Sequence, residues 1–234
     1  MSASQQSQAL LIQDLVHRYP RQGAPALTIE GLAVPHAEHM VLTGQSGSGK
    51  STLLHLIAGL MRPTDGTILV DGLNLLALRP AKRDRIRGRR IGMVFQNYQL
   101  LSGFSVIENV LAALMFSDIP RGAHRQRATD LLTSLGINTP AARIDELSIG
   151  QQQRVAVARA IACSPSLVLA DEPTAALDPG FAATAMDLLQ QACRSINAAL
   201  LCVTHDMTLI ERFDRHERLE DLAITADAAA TGGA

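Results

Sequence analysis

The sequence has no tryptophan, two tyrosines and five phenylalanines, so aromatics make up only 3% of its 234 residues. An aliphatic core of Leu, Ile, Val and Ala is expected instead, which suits a sheet covered by helices. Three cysteines, Cys163, Cys193 and Cys202, form neither a C-x-x-C pair nor a metal-ligand spacing. They read as reduced, small buried residues and exclude a disulfide framework. A strong charge of either sign is missing too: 21 Lys and Arg face 22 Asp and Glu, a formal net charge of −1. That balance argues against a general polyanion binder. No run approaches the roughly 18 apolar residues of a membrane-spanning helix. The opening MSASQQSQ lacks the basic and apolar regions of a signal peptide, so a soluble protein without a leader is expected.

What is present is a hydrophobic fraction of 47%, enough for one large domain or a core with a subdomain. ALLIQDLVHRY (9–19) and ALTIEGLAV (26–34) are β-like runs divided by the turn PRQGAP. HMVLTG (39–44), TILVDG (67–72), IGMVFQ (91–96), SLVLADEP (166–173) and AALLCVTHD (198–206) are further strand candidates. Helical spacing marks KSTLLHLIAGL (50–60) and FAATAMDLLQQACRSI (181–196). Between Gln96 and Cys163 the pattern is helical throughout, at SVIENVLAALMF (105–116), RQRATDLLTSLG (125–136) and QQQRVAVARAIA (151–162). This order predicts an α/β core interrupted by an all-helical insert near 97–162. The tail after about Leu222 is rich in Ala, Gly and Thr and is expected to fray.

LTGQSGSGKST (42–52) places flexible residues where a strand should hand over to a helix. Glycine loses the most backbone freedom on folding, so something must approach the backbone closely. Gly44, Gln45, Ser46, Gly47, Ser48, Gly49, Lys50 and Ser51 fit G-x-x-x-x-G-K-[ST]. In this strand–helix context, exposed N–H groups and the positive helix end form an anion cradle. Lys50 is placed to reach β/γ-phosphates and the Ser51 hydroxyl to meet Mg²⁺, with Thr52 next to it. The ligand implied is a nucleoside triphosphate. SLVLADEP adds Asp171, a carboxylate able to hold Mg²⁺ through water, and Glu172. Neighbours on a strand point to opposite sides, so the two acids are expected to do different jobs. Asp171 would serve the metal and Glu172 the attacking water.

LSIGQQQRVAVARAI (147–161), between Lys50 and Asp171, resembles the L-S-G-G-Q signature of ATP-binding cassette (ABC) ATPases. Gln96 matches that family's Q-loop glutamine, AALD (175–178) its D-loop, His205 its switch histidine and Tyr19 its adenine-stacking aromatic. The resemblance spans about residues 9–222. It implies one ABC ATPase domain over 1–234: a P-loop NTPase (RecA-like) core at about 1–96 and 163–222, with an N-terminal antiparallel β portion, and a helical subdomain at about 97–162. It further implies ATP sandwiched by two copies, with Ser148, Gly150 and Gln151 of one facing the Lys50 loop of the other. Gln96 would touch Mg²⁺ or water, and His205 would contact the γ-phosphate and position the water with Glu172. One departure is Ile149, where the family usually has glycine. A β-branched residue is badly strained at positive φ, so Ile149 is expected at negative φ with its side chain turned away.

RGRRIGMVFQNYQLLSGFSVIENVLAAL (87–114) and GQQQRVAVARA are similar to the lipoprotein-release, macrolide-export and cell-division-associated group of bacterial ABC ATPases. That similarity implies a separate integral-membrane permease, possible periplasmic adaptor contact through it, and a place on the cytoplasmic face of the inner membrane. The chain ends soon after RHERLEDL, so no C-terminal regulatory domain is expected. An importer ATPase, a non-hydrolysing regulatory scaffold and a soluble ATPase acting on DNA or ribosomes are the alternatives. The last lacks the coiled-coil or second-cassette features it would need, so no nucleic-acid partner is expected. RPAKRDRIRGRR (79–90) reads as a solvated surface helix, or as a contact for a partner subunit or anionic lipid.

Overall fold

In the computed structural model, residues 8–20, 24–45 and 47–222 are described. The expectations for Ser46 and for the tail at 223–234 lie outside these residues. Two sheets form the frame. Strands β1 (Gln8–His17), β2 (Leu27–Pro35) and β4 (Asp65–Val70) make an antiparallel sheet in the order β2-β1-β4. The second sheet is parallel throughout, in the order β5-β6-β7-β3-β8. Its strands are β3 (His39–Thr43), β5 (Ile91–Val94), β6 (Leu167–Asp171), β7 (Ala199–Val203) and β8 (Arg215–Arg218).

Every residue of β3, β6 and β7 is buried, the mark of a parallel sheet covered on both faces. Alternation then sorts side chains between two cores. Leu167, Leu169, Leu201 and Val203 enter one with α1 (Lys50–Ile57) and the antiparallel sheet. Val168, Ala170, Leu200 and Cys202 enter the other with the helices between β5 and β6. Those helices are α3 (Val106–Leu114), α4 (His124–Ser134) and α5 (Ile149–Ile161), and no named strand falls among them in the described residues. Helix α6 (Pro179–Ser195) and the short α7 (Leu219–Leu222) complete the order after β6.

Two segments differ from simple pattern reading. RHER forms β8, a strand its composition does not suggest: Arg215 to Arg218 alternate half-buried and exposed, without an apolar residue. Pairing with β3 overrides their weak propensity. The basic run 79–90 forms α2 (Pro80–Arg90), with no buried residue. Its arginines are largely engaged inside the chain, Arg87 with Asp84, Arg89 with Asp118 and Arg90 with Asp71. Cys193 and Cys202 are free and buried, and burial pushes the Cys193 thiol up to about 12.

Candidate functional site

The site gathers at the carboxyl ends of the parallel strands, where open α/β sheets bind ligands. After β3, the chain turns through Gly47 and Gly49 at φ 79° and 99° before entering α1 at Lys50. Positive φ there is the conformation that glycine alone adopts without strain. At Gly44 an added Cβ would stand 2.9 Å from Ser48 Oγ. Lys50 is buried, and its Nζ donates to the carbonyls of Gly44 at 2.7 Å and Gln45 at 2.8 Å. Ser48 Oγ is buried without a hydrogen-bond partner. An oxyanion in this loop would give both groups a charged partner.

Asp171 ends β6, and Ser51 Oγ donates to its Oδ1 at 3.1 Å. Burial is the main cause that raises the Asp171 carboxyl above its usual range; the Ser51 hydrogen bond opposes this and the neighbouring Glu172 adds to it. A buried carboxylate beside a hydroxyl is a hard-oxygen donor pair, the kind Mg²⁺ takes when phosphate oxygens complete its shell. Among the described residues no group of three or more His, Cys, Asp or Glu could hold a metal unaided. The pair therefore fits a cation that arrives with a phosphate.

Glu172 departs from the strand pattern. It sits at φ 45°, a left-handed conformation that costs a non-glycine residue about 1–3 kcal/mol. Alternation stops there, so both acids face one cavity rather than opposite sides. Their hydrogen-bond partners differ. Glu172 Oε2 accepts from Thr204 Oγ1 at 3.0 Å, and Oε1 lies 2.8 Å from His205 Nδ1. Thr204 is fully buried at the end of β7, whereas the His205 ring is largely exposed. The cavity holds about 370 Å³ and is lined by Gly47, Gly49, Lys50, Ser51, Thr52, Gln96, Asp171, Glu172 and His205. Four separated stretches of chain thus converge on one hollow.

The chain as a whole is similar to known proteins. The family described as ABC transporter matches residues 29–175. The chain belongs to the ABC transporter ATPases. The lipoprotein-releasing system ATP-binding protein LolD of Psychrobacter arcticus is 42% identical over 191 residues, covering 81% of this chain and 84% of its own. The methionine import ATP-binding protein MetN of Caulobacter vibrioides is 38% identical over 204 residues, covering 87% of this chain and 61% of its own. Among solved structures, the dimeric post-hydrolysis state of the ATP-binding cassette MJ0796, bound to ADP and Pi, superposes with a TM-score of 0.80. It is 32% identical and covers 92% of this chain and 96% of its own. The chain is thus the ATP-binding and hydrolysing subunit of a transporter. No described helix is long and apolar enough to cross a membrane.

The other residues singled out in the sequence stand outside that cavity. Tyr19 is half-buried at its rim, with its hydroxyl 2.7 Å from Thr52 Oγ1 and its ring edge-on to His17. Ser148 caps α5: its Oγ accepts from Gln151 N at 3.3 Å, and Gln151 Oε1 accepts from Ser148 N at 2.9 Å. Ile149 is the first helical residue, lies outside the positive-φ set and is 52% exposed. A Cβ at Gly150 would meet nothing within 4 Å. Ser148, Ile149, Gly150 and Gln151 line a second hollow of about 620 Å³ with Leu177, Asp178 and the exposed Phe181.

Three side chains around the site were missed by sequence reasoning. Thr204 holds Glu172, Gln153 reaches the turn after it, and Glu220 Oε1 accepts from Gln45 N at 2.9 Å. That hydrogen bond is the main cause that lowers the Glu220 carboxyl from its usual value. Only Thr204 carried a local signal, its place between an apolar strand and His205.

Proposed function

We propose that two copies of this chain close around two ATP molecules with Mg²⁺ and so drive a separate integral-membrane permease in export or envelope work of the lipoprotein-release type. The observation that carries this reading is the split arrangement. Lys50, Ser51, Asp171, Glu172, Gln96 and His205 share one hollow, while the Ser148 tip opens onto another.

In this reading residues 44–52 cradle the phosphates, Ser46 included, and Tyr19 stacks on the adenine. Lys50 leaves the Gly44 and Gln45 carbonyls for the β/γ-phosphates. Ser51, Gln96 and Asp171 hold Mg²⁺, which supplies positive charge against the phosphate oxygens. Glu172 accepts a hydrogen bond from the attacking water. As the water oxygen bonds to the γ-phosphorus, the bond to the bridging oxygen breaks, giving ADP and phosphate. His205 steers both the γ-phosphate and the water. From the second copy, Ser148 offers its hydroxyl and Gly150 its N–H, at a helix N-terminus that favours negative charge, with Gln151 beside them.

The helical segment about 97–162 then moves as a unit against the core, with Gln96 at its root. This motion passes to the permease at the cytoplasmic face of the inner membrane, and through it to any periplasmic adaptor. The 42% identity to a lipoprotein-releasing ATPase favours this direction. A second reading, an importer subunit, draws on the 38% identity to a methionine import protein. Capture of the tagged chain from detergent-solubilised membranes separates them. A four-span permease with a large external domain is the expected companion. A multi-span importer permease with a solute-binding protein would overturn the export reading.

A further inference from the structure

Helix α5 carries Ser148 at its tip and Gln153 further along its inward face, where Gln153 is 3% exposed. The Gln153 Nε2 donates to the carbonyl oxygen of Pro173 at 3.1 Å. Pro173 is buried and directly follows Glu172, the residue held at φ 45°. The turn beyond is closed by hydrogen bonds of its own, Ala175 N to Glu172 O at 3.1 Å and Leu177 N to Thr174 O at 3.0 Å. On the other side, the Glu172 carboxylate is tied to the end of β7 through Thr204. The Glu172 turn therefore has two anchors: a sheet strand, and the helix whose tip carries the signature.

We infer that Gln153 is a positioning residue that ties the signature helix to the Glu172 turn of the same protomer. The inference rests on the two-copy reading above. In that assembly Ser148 and Glu172 of one chain belong to different ATP sites. Docking of a neighbour's nucleotide on Ser148 shifts or stiffens α5. The shift reaches the Pro173 carbonyl through one buried hydrogen bond and sets the Glu172 carboxylate that serves the other nucleotide. Packed interiors transmit such small shifts because they deform little. The tie acts on the placing of Glu172 for the chemical step, so it changes turnover rather than nucleotide affinity, and the reciprocity required of binding couplings does not extend to it.

Gln153→Met keeps the side chain's length and burial but cannot donate. In otherwise unaltered protein it should lower kcat by about 10-fold or more with KM within about two-fold, and move the Hill coefficient for ATP towards one. In a Glu172→Gln parent, ATP-driven dimerisation followed by light scattering should be the same with and without Gln153→Met. Gln153→Glu places an acceptor against the Pro173 carbonyl and should reproduce the kcat loss, which covers failure of the Met variant to fold. Wild-type kcat and cooperativity in either folded variant would overturn the link. So would a kcat loss matched by an equal loss of dimerisation, since Gln153 would then merely support the signature surface. If the Glu172→Gln parent itself stays monomeric with ATP, the two-copy reading fails, a result separate from either of these.

Discussion

The phosphate loop and the signature tip are both built on a helix start, yet they are finished to different degrees. Around the loop most chemical side chains already have a partner in their own chain, Lys50 on two carbonyls, Ser51 on Asp171, Glu172 on Thr204 and His205, Tyr19 on Thr52, while the buried Ser48 Oγ has none. Around the tip Ser148 has only its local cap, while Ile149 and Phe181 are 52% and 66% exposed. Glycines do not follow this contrast: an added Cβ would meet nothing within 4 Å at Gly47 of the loop or at Gly150 of the tip, and the crowded position is Gly92 on β5, where it would stand 2.3 Å from Ala160 O. Catalytic groups are preorganised where charge develops, which is where preorganisation lowers a barrier most. In the proposed two-copy assembly the tip acts against the other molecule.

The largest effect expected from this contrast is at Glu172. Glu172→Gln keeps the hydrogen-bonding outline but removes the base, so ATP turnover should fall by about 100- to 10,000-fold. ATP-driven dimerisation, read by light scattering, should persist, because the tip is untouched. Equal turnover by the variant and the wild type would remove Glu172 as the water activator.

A pair of glycine variants separates stability from function. Gly92→Ala pushes a methyl into backbone and should destabilise the fold by about 1–3 kcal/mol, visible as a lower Tm. Gly150→Ala should leave Tm unchanged or raise it slightly, since the added methyl enters open space on a helix and removes glycine's unfolded-chain entropy. Its turnover should nonetheless drop by about 10- to 100-fold, because the methyl holds the partner's phosphate off the N–H group. A Gly150→Ala enzyme with full turnover would break the comparison.

Asp171 tests the loop half from the side of pH. Its carboxyl is raised, chiefly by burial, so the folded chain binds that proton more readily than the unfolded one. Stability of the nucleotide-free protein should then fall as pH rises from the ordinary Asp range through the raised value. Asp171→Asn should remove this slope and raise Tm at neutral pH, while impairing Mg²⁺-dependent turnover. Melting curves across pH without nucleotide check the sign. A Tm that drops on Asp171→Asn would mean that the carboxylate stabilises the empty site.

Much of this was legible in sequence because site residues lie at the ends of strongly patterned elements. Lys50 opens a periodic helix after a strand with the apolar centre Met40 to Leu42, and Asp171 closes the apolar strand Leu167 to Ala170. What stayed hidden depends on contacts that no local pattern encodes. Glu172 turns into the cavity only because its backbone leaves the strand conformation. Gln153 looks like any polar residue on a glutamine-rich helix until α5 is laid against the Pro173 turn. Strand β8 carries charged residues that read as a loop, and only the free edge of β3 makes them a strand.

Ile149→Gly should have the smallest effect, and its direction is informative. Ile149 begins α5 without positive φ, so replacing it relieves no backbone strain. Its side chain is half exposed over the second hollow, so little apolar burial is lost. Glycine adds backbone entropy to the unfolded chain, and the sum should lower stability by under about 1 kcal/mol. Turnover should stay within about three-fold, because the Ser148 hydroxyl and the Gly150 N–H keep their places on the helix end. Melting temperature and kcat measured side by side decide the matter. A rise in turnover by orders of magnitude would mean that isoleucine obstructs phosphate at the tip, and that the signature surface of this chain is degenerate.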